Sequence, residues 1–347
     1  MPNISTSSRF PWRTVLVVAV TVGLLWLFFR NVNLKEAWAA VTRAHFNLIL
    51  AAIVCTFSTY TLRAVRWRVL LQPLGPVRLS TAFRTTVIGF TLIFLLPGRV
   101  GEVLRPYLLA RHEGLKAPAT FATVIVERLL DVVTVLLLFA VALPLAGVDA
   151  GPQVTFIGTV SAAGALGALV LLFVFAGHPE RLGQWAGRLG RRLPPKMAAA
   201  LARLVQTFVE GLAVMRSPGH LAAAACWSIA VWLSIALGIW FTSHAFDLTV
   251  SFVGSFIVVG YLAVGVSLPT PGGAGGFHVL YKVALTTFFG ADPAVAAAAA
   301  IVLHAVSFVP ITIVGLVFMW QDGLTLGGLK KMRAEAQAAE MPPPERS

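Results

Sequence analysis

Long runs of apolar residues, separated by short polar segments, recur along the whole chain. Each run approaches the roughly 20 apolar residues that a helix needs to cross the hydrocarbon core of a bilayer. No stretch between the runs is polar enough to form the surface of a soluble domain. The pattern predicts an all-α, polytopic membrane protein with about six full transmembrane helices. The predicted spans are 14–29, 46–63, 119–145, 154–176, 220–246 and 294–320.

Two further apolar stretches, 82–96 and 252–268, end abruptly at proline and glycine. Each break is followed by a moderately apolar helix, at 102–115 and at 277–289. Broken backbone at membrane depth is tolerated only where protein or water meets its free N–H and C=O groups. We therefore predict two re-entrant helical hairpins. The predicted break residues are Pro97, Gly98, Gly101, Pro269, Pro271, Gly272, Gly273 and Gly275.

The two breaks share the pattern Pro-Gly-x-x-Gly, which starts at Pro97 and again at Pro271. Matching breaks in two halves favour an inverted repeat, a recurring design of secondary transporters. The alternative is that proline and glycine merely kink continuous helices. The predicted organisation is a cytoplasmic N-terminus at 1–11, a transmembrane domain at 12–325 with halves of about 12–150 and 151–325, and a disordered cytoplasmic tail at 326–347.

Charge supports the membrane prediction and suggests an orientation. Charged residues make up 12% of the chain and apolar residues 58%, while the net charge is +13. On a soluble protein this excess would suggest nucleic acid. The basic residues cluster in loops between apolar runs, such as the one after span 46–63 that carries Arg63, Arg66 and Arg68. Anionic lipid headgroups therefore explain them better, and no nucleic-acid partner is expected. The positive-inside rule then places both termini in the cytoplasm and the protein in the inner cell membrane, with only the basic loop at 30–45 disagreeing.

Several ionisable residues lie inside apolar sequence, where each charge costs roughly 2.5–3.5 kcal/mol on insertion scales. Arg99, Glu102 and Arg105 follow the first break at three-residue spacing, so they share a helix face. Glu127 and Asp131 are four residues apart and also face one way. We predict that these carboxylates pair with arginines around a hydrated cavity that holds a lipid phosphate. The alternative is a set of structural ion pairs.

The second half offers a smaller set of polar residues. His278 and Lys282 lie four apart after the glycine-rich break, where a helix N-terminus would attract an anion. The full predicted set of lipid- or headgroup-binding residues is Arg99, Glu102, Arg105, Glu127, Arg128, Asp131, His278 and Lys282.

Motifs for common membrane enzymes are missing from the sequence. The chain contains no Walker motif, which argues against ATP-driven transport. It has no H-E-x-x-H sequence, no Cys/His cluster and no Gly-x-Ser-x-Gly elbow, so no metal, cofactor or catalytic residue is predicted. A membrane-embedded lipid-phosphate transferase or hydrolase that uses Glu127 or His278 stays open as an alternative.

Three segments carry a family resemblance. Residues 96–105, Leu-Pro-Gly-Arg-Val-Gly-Glu-Val-Leu-Arg, and residues 126–131, Val-Glu-Arg-Leu-Leu-Asp, resemble the first-half signature of the flippase-like lysylphosphatidylglycerol synthase transmembrane family. Residues 268–275 resemble its second-half signature. The resemblance covers roughly residues 12–325.

This resemblance implies a polytopic, lipid-handling protein whose family moves aminoacylated phosphatidylglycerol between leaflets. The aminoacyltransferase domain of the fused members has no counterpart before Ser347, so this stand-alone chain is not expected to make lysylphosphatidylglycerol by itself. The family commonly has glutamate at the position of His278. The leading prediction is a flippase-like transporter of a phospholipid or lipid-linked glycan. The other alternative is an accessory scaffold for an envelope glycosyltransferase or aminoacyltransferase.

Overall fold

The computed structural model describes residues 12–30, 32–96, 99–147, 151–177, 218–268 and 270–324, together with Arg188 and Gly328. Within these residues the secondary structure is helical and contains no strand, as the all-α prediction requires. The helices are α1 (Trp12–Phe29), α2 (Leu34–Arg43), α3 (Phe46–Leu71), α4 (Leu79–Leu95), α5 (Val100–Glu113), α6 (Ala117–Leu145), α7 (Gly151–Gly177), α8 (Pro218–Ala245), α9 (Gly254–Ser267), α10 (Gly276–Phe289) and α11 (Pro293–Gln321).

Some of the predicted features fall on parts of the chain that are not described. The break residues Pro97, Gly98 and Pro269 are among them. So are the N-terminal segment 1–11 and, apart from Gly328, the tail 326–347. The assignments made for these residues therefore stay predictions.

The described part of the chain contains three helices that are long and apolar enough to cross a membrane. They are Phe46–Leu74, Gly219–Ala245 and Pro293–Gln321, which correspond to α3, α8 and α11. The pair formed by α1 and α2 would count as a fourth span, although it bends by 79°. The protein is thus a multi-pass membrane protein, with fewer spans evident by length and composition than the six predicted.

Two helices differ from the sequence prediction. The helix predicted to span 46–63 continues to Leu71, so residues assigned to a basic loop are helical. Within the predicted loop 30–45 lies the ten-residue helix α2, where the Asn33 side chain accepts hydrogen bonds from the backbone of Lys35 and Glu36. Helix α2 is amphipathic and mixes charged with apolar residues, among them Trp38, which is 70% exposed. A pattern of long apolar runs does not predict a helix of this kind.

Two pairs of shorter helices flank the breaks. The first helix pair is α4 with α5 and the second helix pair is α9 with α10, and the two members of each pair pack against each other. Glycines allow this close approach. A Cβ on Gly101 would collide with the carbonyl oxygen of Gly89, and a Cβ on Gly276 would collide with that of Gly265. Each pair therefore crosses at a glycine–glycine contact.

The helix order repeats. Helices α3 to α6 have 26, 17, 14 and 29 residues, and α8 to α11 have 28, 14, 14 and 29. The 14-residue helices α5 and α10 both end at a glycine in the left-handed region, Gly114 at φ 68° and Gly290 at φ 61°. In both units a proline in the first turn opens the next helix, the 29-residue one. The chain thus contains two four-helix units of the same order.

The contacts between these units are reciprocal. Helix α4 packs on α11 of the other unit, and α9 likewise packs on α6. Helices α3 and α8, the first of each unit, form an extensive contact with each other. The breaks also meet, because the turn at Pro271–Gly273 lies against the end of α4. Each unit therefore contacts the other through equivalent helices.

Candidate functional site

The two carboxylates of α6 lie side by side in the protein interior. Glu127 is completely buried and Asp131 is 5% exposed. Their four-residue spacing puts them on one face of the helix, as the sequence predicts. Unpaired carboxylates at such depth would be too costly to retain, so their partners define the site.

Arg105 and Arg66 are the close partners of these carboxylates. Arg105, on α5, donates a hydrogen bond from each terminal guanidinium nitrogen to Glu127, from Nη1 to Oε1 at 2.9 Å and from Nη2 to Oε2 at 3.2 Å. Arg66, on α3, lies between the two acids, with Nη1 2.6 Å from Asp131 Oδ1 and Nη2 3.1 Å from Glu127 Oε1. Its Nη1 also donates to Ser228 Oγ on α8 at 2.9 Å. The network therefore joins α3, α5, α6 and α8.

Two further arginines lie at the edge of the network. Arg63 Nη1 and Arg128 Nη1 are each 3.5 Å from Asp131 Oδ2. Arg63 is buried, whereas the side chain of Arg128 is 38% exposed. Arg128 is therefore the member through which a ligand could reach the cluster. We call the six residues the arginine–carboxylate cluster: Arg63, Arg66, Arg105, Glu127, Arg128 and Asp131.

Aromatic rings line the cluster. The guanidinium carbon of Arg105 lies 3.9 Å from the ring centre of Trp67. Phe90, on α4, faces the guanidinium groups of Arg63, Arg105 and Arg128 at 5.1, 5.9 and 5.7 Å. Cation–π contacts of this kind favour the charged form of arginine in an apolar surrounding. They supply no negative charge, so they do not neutralise the cluster.

The cluster carries more positive than negative charge. Four guanidinium groups face two carboxylates, which leaves a formal charge of +2 among the described residues. Several buried atoms of the cluster also lack a hydrogen-bond partner within the described chain. They are the donors Arg63 Nη1, Arg66 Nε and Nη2, Arg105 Nε and Arg128 Nε, and one acceptor, Asp131 Oδ2. Buried donors are normally satisfied. A bound anion would satisfy both the charge and the donors.

Arg99 and Glu102 lie away from this cluster. Arg99 precedes α5 with a left-handed backbone at φ 51°, and its Nη2 donates to the carbonyls of Val266 and Ser267 at 3.2 and 3.4 Å. Glu102 pairs with Arg99 at 3.5 Å. These contacts connect the break of the first helix pair to the end of α9 in the second.

His278 and Lys282 form a third location on α10. The His278 ring lies 4.6 Å from that of His304 between ring centres, and its Nδ1 accepts a hydrogen bond from the Gly275 backbone N–H at 3.4 Å. Lys282 Nζ donates to the carbonyl of Phe28 at the end of α1, at 2.6 Å. Their contacts are with α1, α11 and the second break, and not with the arginine–carboxylate cluster.

The predicted site residues thus separate into three places. Arg105, Glu127, Arg128 and Asp131 come together, while the pairs Arg99–Glu102 and His278–Lys282 do not join them. The prediction missed Arg63 and Arg66, which were assigned to a basic loop. A helical signal was present, since Trp67, Leu70 and Leu71 continue the apolar face beyond them and are fully buried.

Metal chemistry has no candidate ligands in the described residues. No three His, Cys, Asp or Glu side chains converge there as a metal site. The cluster is instead suited to binding an anion by charge-assisted hydrogen bonds.

The chain matches a known protein family over most of its length. The family described as "Lysylphosphatidylglycerol synthase TM region" matches residues 14–315. The protein "Glycosyltransferase AglD" of Haloferax volcanii is 29% identical over 349 aligned positions, which cover 87% of this chain and 54% of the relative. The chain therefore spans about half the length of this curated relative.

Proposed function

This chain belongs to the lysylphosphatidylglycerol synthase transmembrane-region family, and we propose that it moves a phosphate-bearing lipid, a phospholipid or lipid-linked glycan, between the leaflets of the cell membrane. One observation carries the proposal: a buried cluster with surplus arginine charge opens outward through Arg128. A lipid phosphate matches this site in charge and in hydrogen-bonding capacity.

The helix pairs support a transport route. Helices α5, α9 and α10 have 14 residues, or about 21 Å at 1.5 Å per residue, which is short of the roughly 30 Å hydrocarbon core. We therefore interpret both pairs as re-entrant hairpins whose breaks meet inside the membrane. Free backbone groups at these breaks require a protein or water lining. In transporters, such broken helices surround the substrate site.

The re-entrant interpretation also determines the symmetry. If neither helix pair crosses the membrane, and the basic segment 178–217 lies on one side of it as its charge predicts, α6 and α7 are the two crossings between α3 and α8. Helices α3 and α8 then run in opposite directions. The two units are then inverted, within halves of about 12–150 and 151–325. We place both termini in the cytoplasm and the protein in the inner membrane, on the basis of the basic loops.

The proposed roles of the site residues follow from their contacts. Arg128 docks the lipid phosphate, Arg105 adds positive charge from its pair with Glu127, and Glu127 and Asp131 hold the arginines in position. Arg99 and Glu102 meet the headgroup at the first break as it passes between the helix pairs. His278 and Lys282 provide the polar contact on the second pair.

Substitution of Arg128 tests the docking site. In proteoliposomes the wild type should move a fluorescent phosphate-bearing lipid between the leaflets, and Arg128→Ala should abolish the movement. The variant should still fold, because Asp131 keeps its 2.6 Å contact with Arg66. Arg68→Ala is the matched control, since Arg68 is an exposed arginine on α3.

Each outcome bears on a different part of the proposal. Unchanged transport by Arg128→Ala would remove this arginine from the docking site. No movement of any labelled lipid by the wild type, with the protein folded and inserted, would exclude the transport function itself.

A second function is favoured by the relative from Haloferax volcanii, which is named a glycosyltransferase and is nearly twice as long as the matched region. We propose, as the alternative, that this chain is the membrane partner of an envelope glycosyltransferase. Affinity purification from native membranes should then recover a glycosyltransferase in a stoichiometric complex. Recovery of the chain without one, together with lipid movement by the purified protein, would favour the transporter.

A further inference from the structure

Two of the four arginines in the arginine–carboxylate cluster are committed to short ion pairs. Arg66 lies 2.6 Å from Asp131, and Arg105 forms a two-point contact with Glu127 at 2.9 and 3.2 Å. Charge-assisted hydrogen bonds have about these lengths. Each carboxylate therefore has one arginine at hydrogen-bonding distance, which balances its single charge, although Asp131 Oδ2 has no hydrogen-bond partner among the described residues.

Arg63 and Arg128 are not neutralised in this way. Each lies 3.5 Å from the same oxygen, Asp131 Oδ2, which is longer than the roughly 2.7–2.9 Å of a charge-assisted hydrogen bond. The Nη1 of Arg63 and the Nε of Arg128 are buried without an acceptor among the described residues. Arg63 itself is more than nine-tenths buried, at 8% exposure. Two positive charges thus remain available to a ligand.

Apart from the other members of the cluster, the side chains that face these two arginines are uncharged aromatic rings. Both guanidinium groups face the ring of Phe90, at 5.1 and 5.7 Å. Tyr60 lies edge-on to the same ring at 5.2 Å, and Trp232 lies 5.9 Å from Arg63. Apolar rings lower the local dielectric constant and so strengthen electrostatic interactions. The ligand that fits it best supplies two negative charges in one compact group.

We infer that the lipid recognised by this cluster carries two negative charges on its phosphate group, which binds between Arg63 and Arg128. A phosphomonoester has a charge of about −1.5 to −2 near neutral pH, and a diphosphate diester carries one charge on each phosphate. An ordinary phosphodiester phospholipid carries only one phosphate charge. The inference rests on the proposed function, since it names the class of lipid that the transporter would recognise.

Three lipids that share the same prenyl chain and differ in the charge of the phosphate group test this inference. The probes are the prenyl phosphate, the prenyl phosphate hexose and the prenyl diphosphate hexose, titrated against the purified protein in nanodiscs of neutral lipid. The first and third should bind at least about tenfold more tightly than the second, because only they pair with both arginines. Equal affinity for all three would overturn the inference.

The pH dependence of binding affinity distinguishes the two dianionic ligands, the phosphomonoester and the diphosphate diester. The second proton of a phosphomonoester binds near pH 6, so affinity for the prenyl phosphate should fall between pH 8 and pH 5.5. Affinity for the diphosphate should stay constant over this range. If only one of the two probes shows dianion-selective binding, that probe identifies the source. If neither does, the inference fails.

Substitutions identify the arginines responsible. Arg128→Gln and Arg63→Gln should each lower the affinity for the dianionic probes to that for the monoanionic probe, whereas Arg68→Gln should change nothing. Size-exclusion profiles and thermal unfolding report whether each variant folds, and Arg128→Gln, at the partly exposed position, is the variant on which the test depends. Retained dianion preference in folded Arg128→Gln would overturn the inference. If affinity does not depend on the charge of the lipid phosphate but lipid movement is intact, the inference fails and the proposed transport function remains.

Discussion

At the scale of single residues, Glu127 is the carboxylate that keeps the arginines of the arginine–carboxylate cluster in position. This carboxylate is fully buried and lies within 4.0 Å of the guanidinium groups of Arg66, Arg105 and Arg128. A buried ion pair adds little net stability compared with an apolar replacement, but removal of one partner leaves an uncompensated charge. The stability of the cluster is therefore more sensitive to loss of the carboxylate than its net contribution suggests.

Replacement of Glu127 by glutamine tests this dependence. Arg105 would lose its two-point partner while staying buried, so Glu127→Gln should destabilise the protein by about 3–5 kcal/mol. Thermal unfolding in detergent, followed by tryptophan fluorescence, measures the change.

Glu102→Gln is the matched control for this change. Glu102 pairs with Arg99 at 3.5 Å, and both side chains are partly exposed, at 31% and 49%. Exposed pairs contribute about 0–1 kcal/mol, so this variant should unfold close to the wild type. Equal unfolding temperatures for the two variants would mean that the interior around Glu127 is hydrated.

The sequence predicts four of the six residues of the arginine–carboxylate cluster. The four-residue spacing of Glu127 and Asp131 indicates a shared face, because neighbours on one helix follow from geometry alone. The identity of their partners does not follow, since Arg66 precedes Asp131 by 65 positions and meets it only through packing of α3 on α6. Charge also hid the end of α3, as Arg63 and Arg66 resemble a cytoplasmic loop until the burial of Trp67 is known.

At the scale of elements, proline and glycine determine where helices end and how closely they pack. The Pro-Gly-x-x-Gly pattern predicts both breaks, and helices of 17 and 14 residues precede them. The close crossing of each helix pair is not visible in the pattern, because it requires Gly89 and Gly265 on the preceding helices to lie opposite Gly101 and Gly276. Single glycines in apolar helices do not reveal their partners.

Alanine at these crossings should separate the paired helices. In Gly101→Ala and Gly276→Ala the new methyl group collides with backbone of the opposite helix, which cannot move like a flexible side chain. Overpacking of this kind costs about 1–3 kcal/mol. Thermal unfolding should show both variants to be less stable than the wild type.

Gly23→Ala provides the control for helix propensity. A Cβ at Gly23 meets nothing within 4 Å, and alanine favours helix over glycine by about 0.8–1.0 kcal/mol. This variant should be as stable as the wild type or slightly more so. A crossing variant that matches Gly23→Ala would show that its two helices are not in close contact.

At the scale of the whole molecule, two similar units carry different chemistry. Counted from the start of each helix, Glu102 on α5 corresponds to His278 on α10, and Arg105 corresponds to Tyr281. Tyr281 makes a 3.2 Å hydrogen bond to Ser243 Oγ where its counterpart holds a carboxylate. The two units thus share a helix order, while the surplus positive charge of the arginine–carboxylate cluster belongs to the first unit alone among the described residues. A sequence repeat predicts that the two units share a helix order. It does not predict that the arginine–carboxylate cluster lies in the first unit.

The contact between the two breaks is where the units must part if lipid is to pass. Arg99 holds the end of α9 through the carbonyls of Val266 and Ser267, and Phe94 packs on Phe308 with ring centres 4.3 Å apart. Since the lipid headgroup is proposed to pass between the helix pairs, a covalent link across this contact should stop transport. The link joins one pair to the other and leaves the arginine–carboxylate cluster untouched.

A reversible crosslink between Arg99→Cys and Ser267→Cys tests this movement. With Cys55 and Cys226 replaced by alanine, a bifunctional thiosulfonate should join the two positions and block lipid movement in proteoliposomes, and reductant should restore it. Each single-cysteine variant treated in the same way controls for modification alone and should keep its own untreated rate. Full transport by the crosslinked protein would show that lipid crosses without separation of the breaks, and a route along the outside of the helix pairs would then have to replace the one proposed.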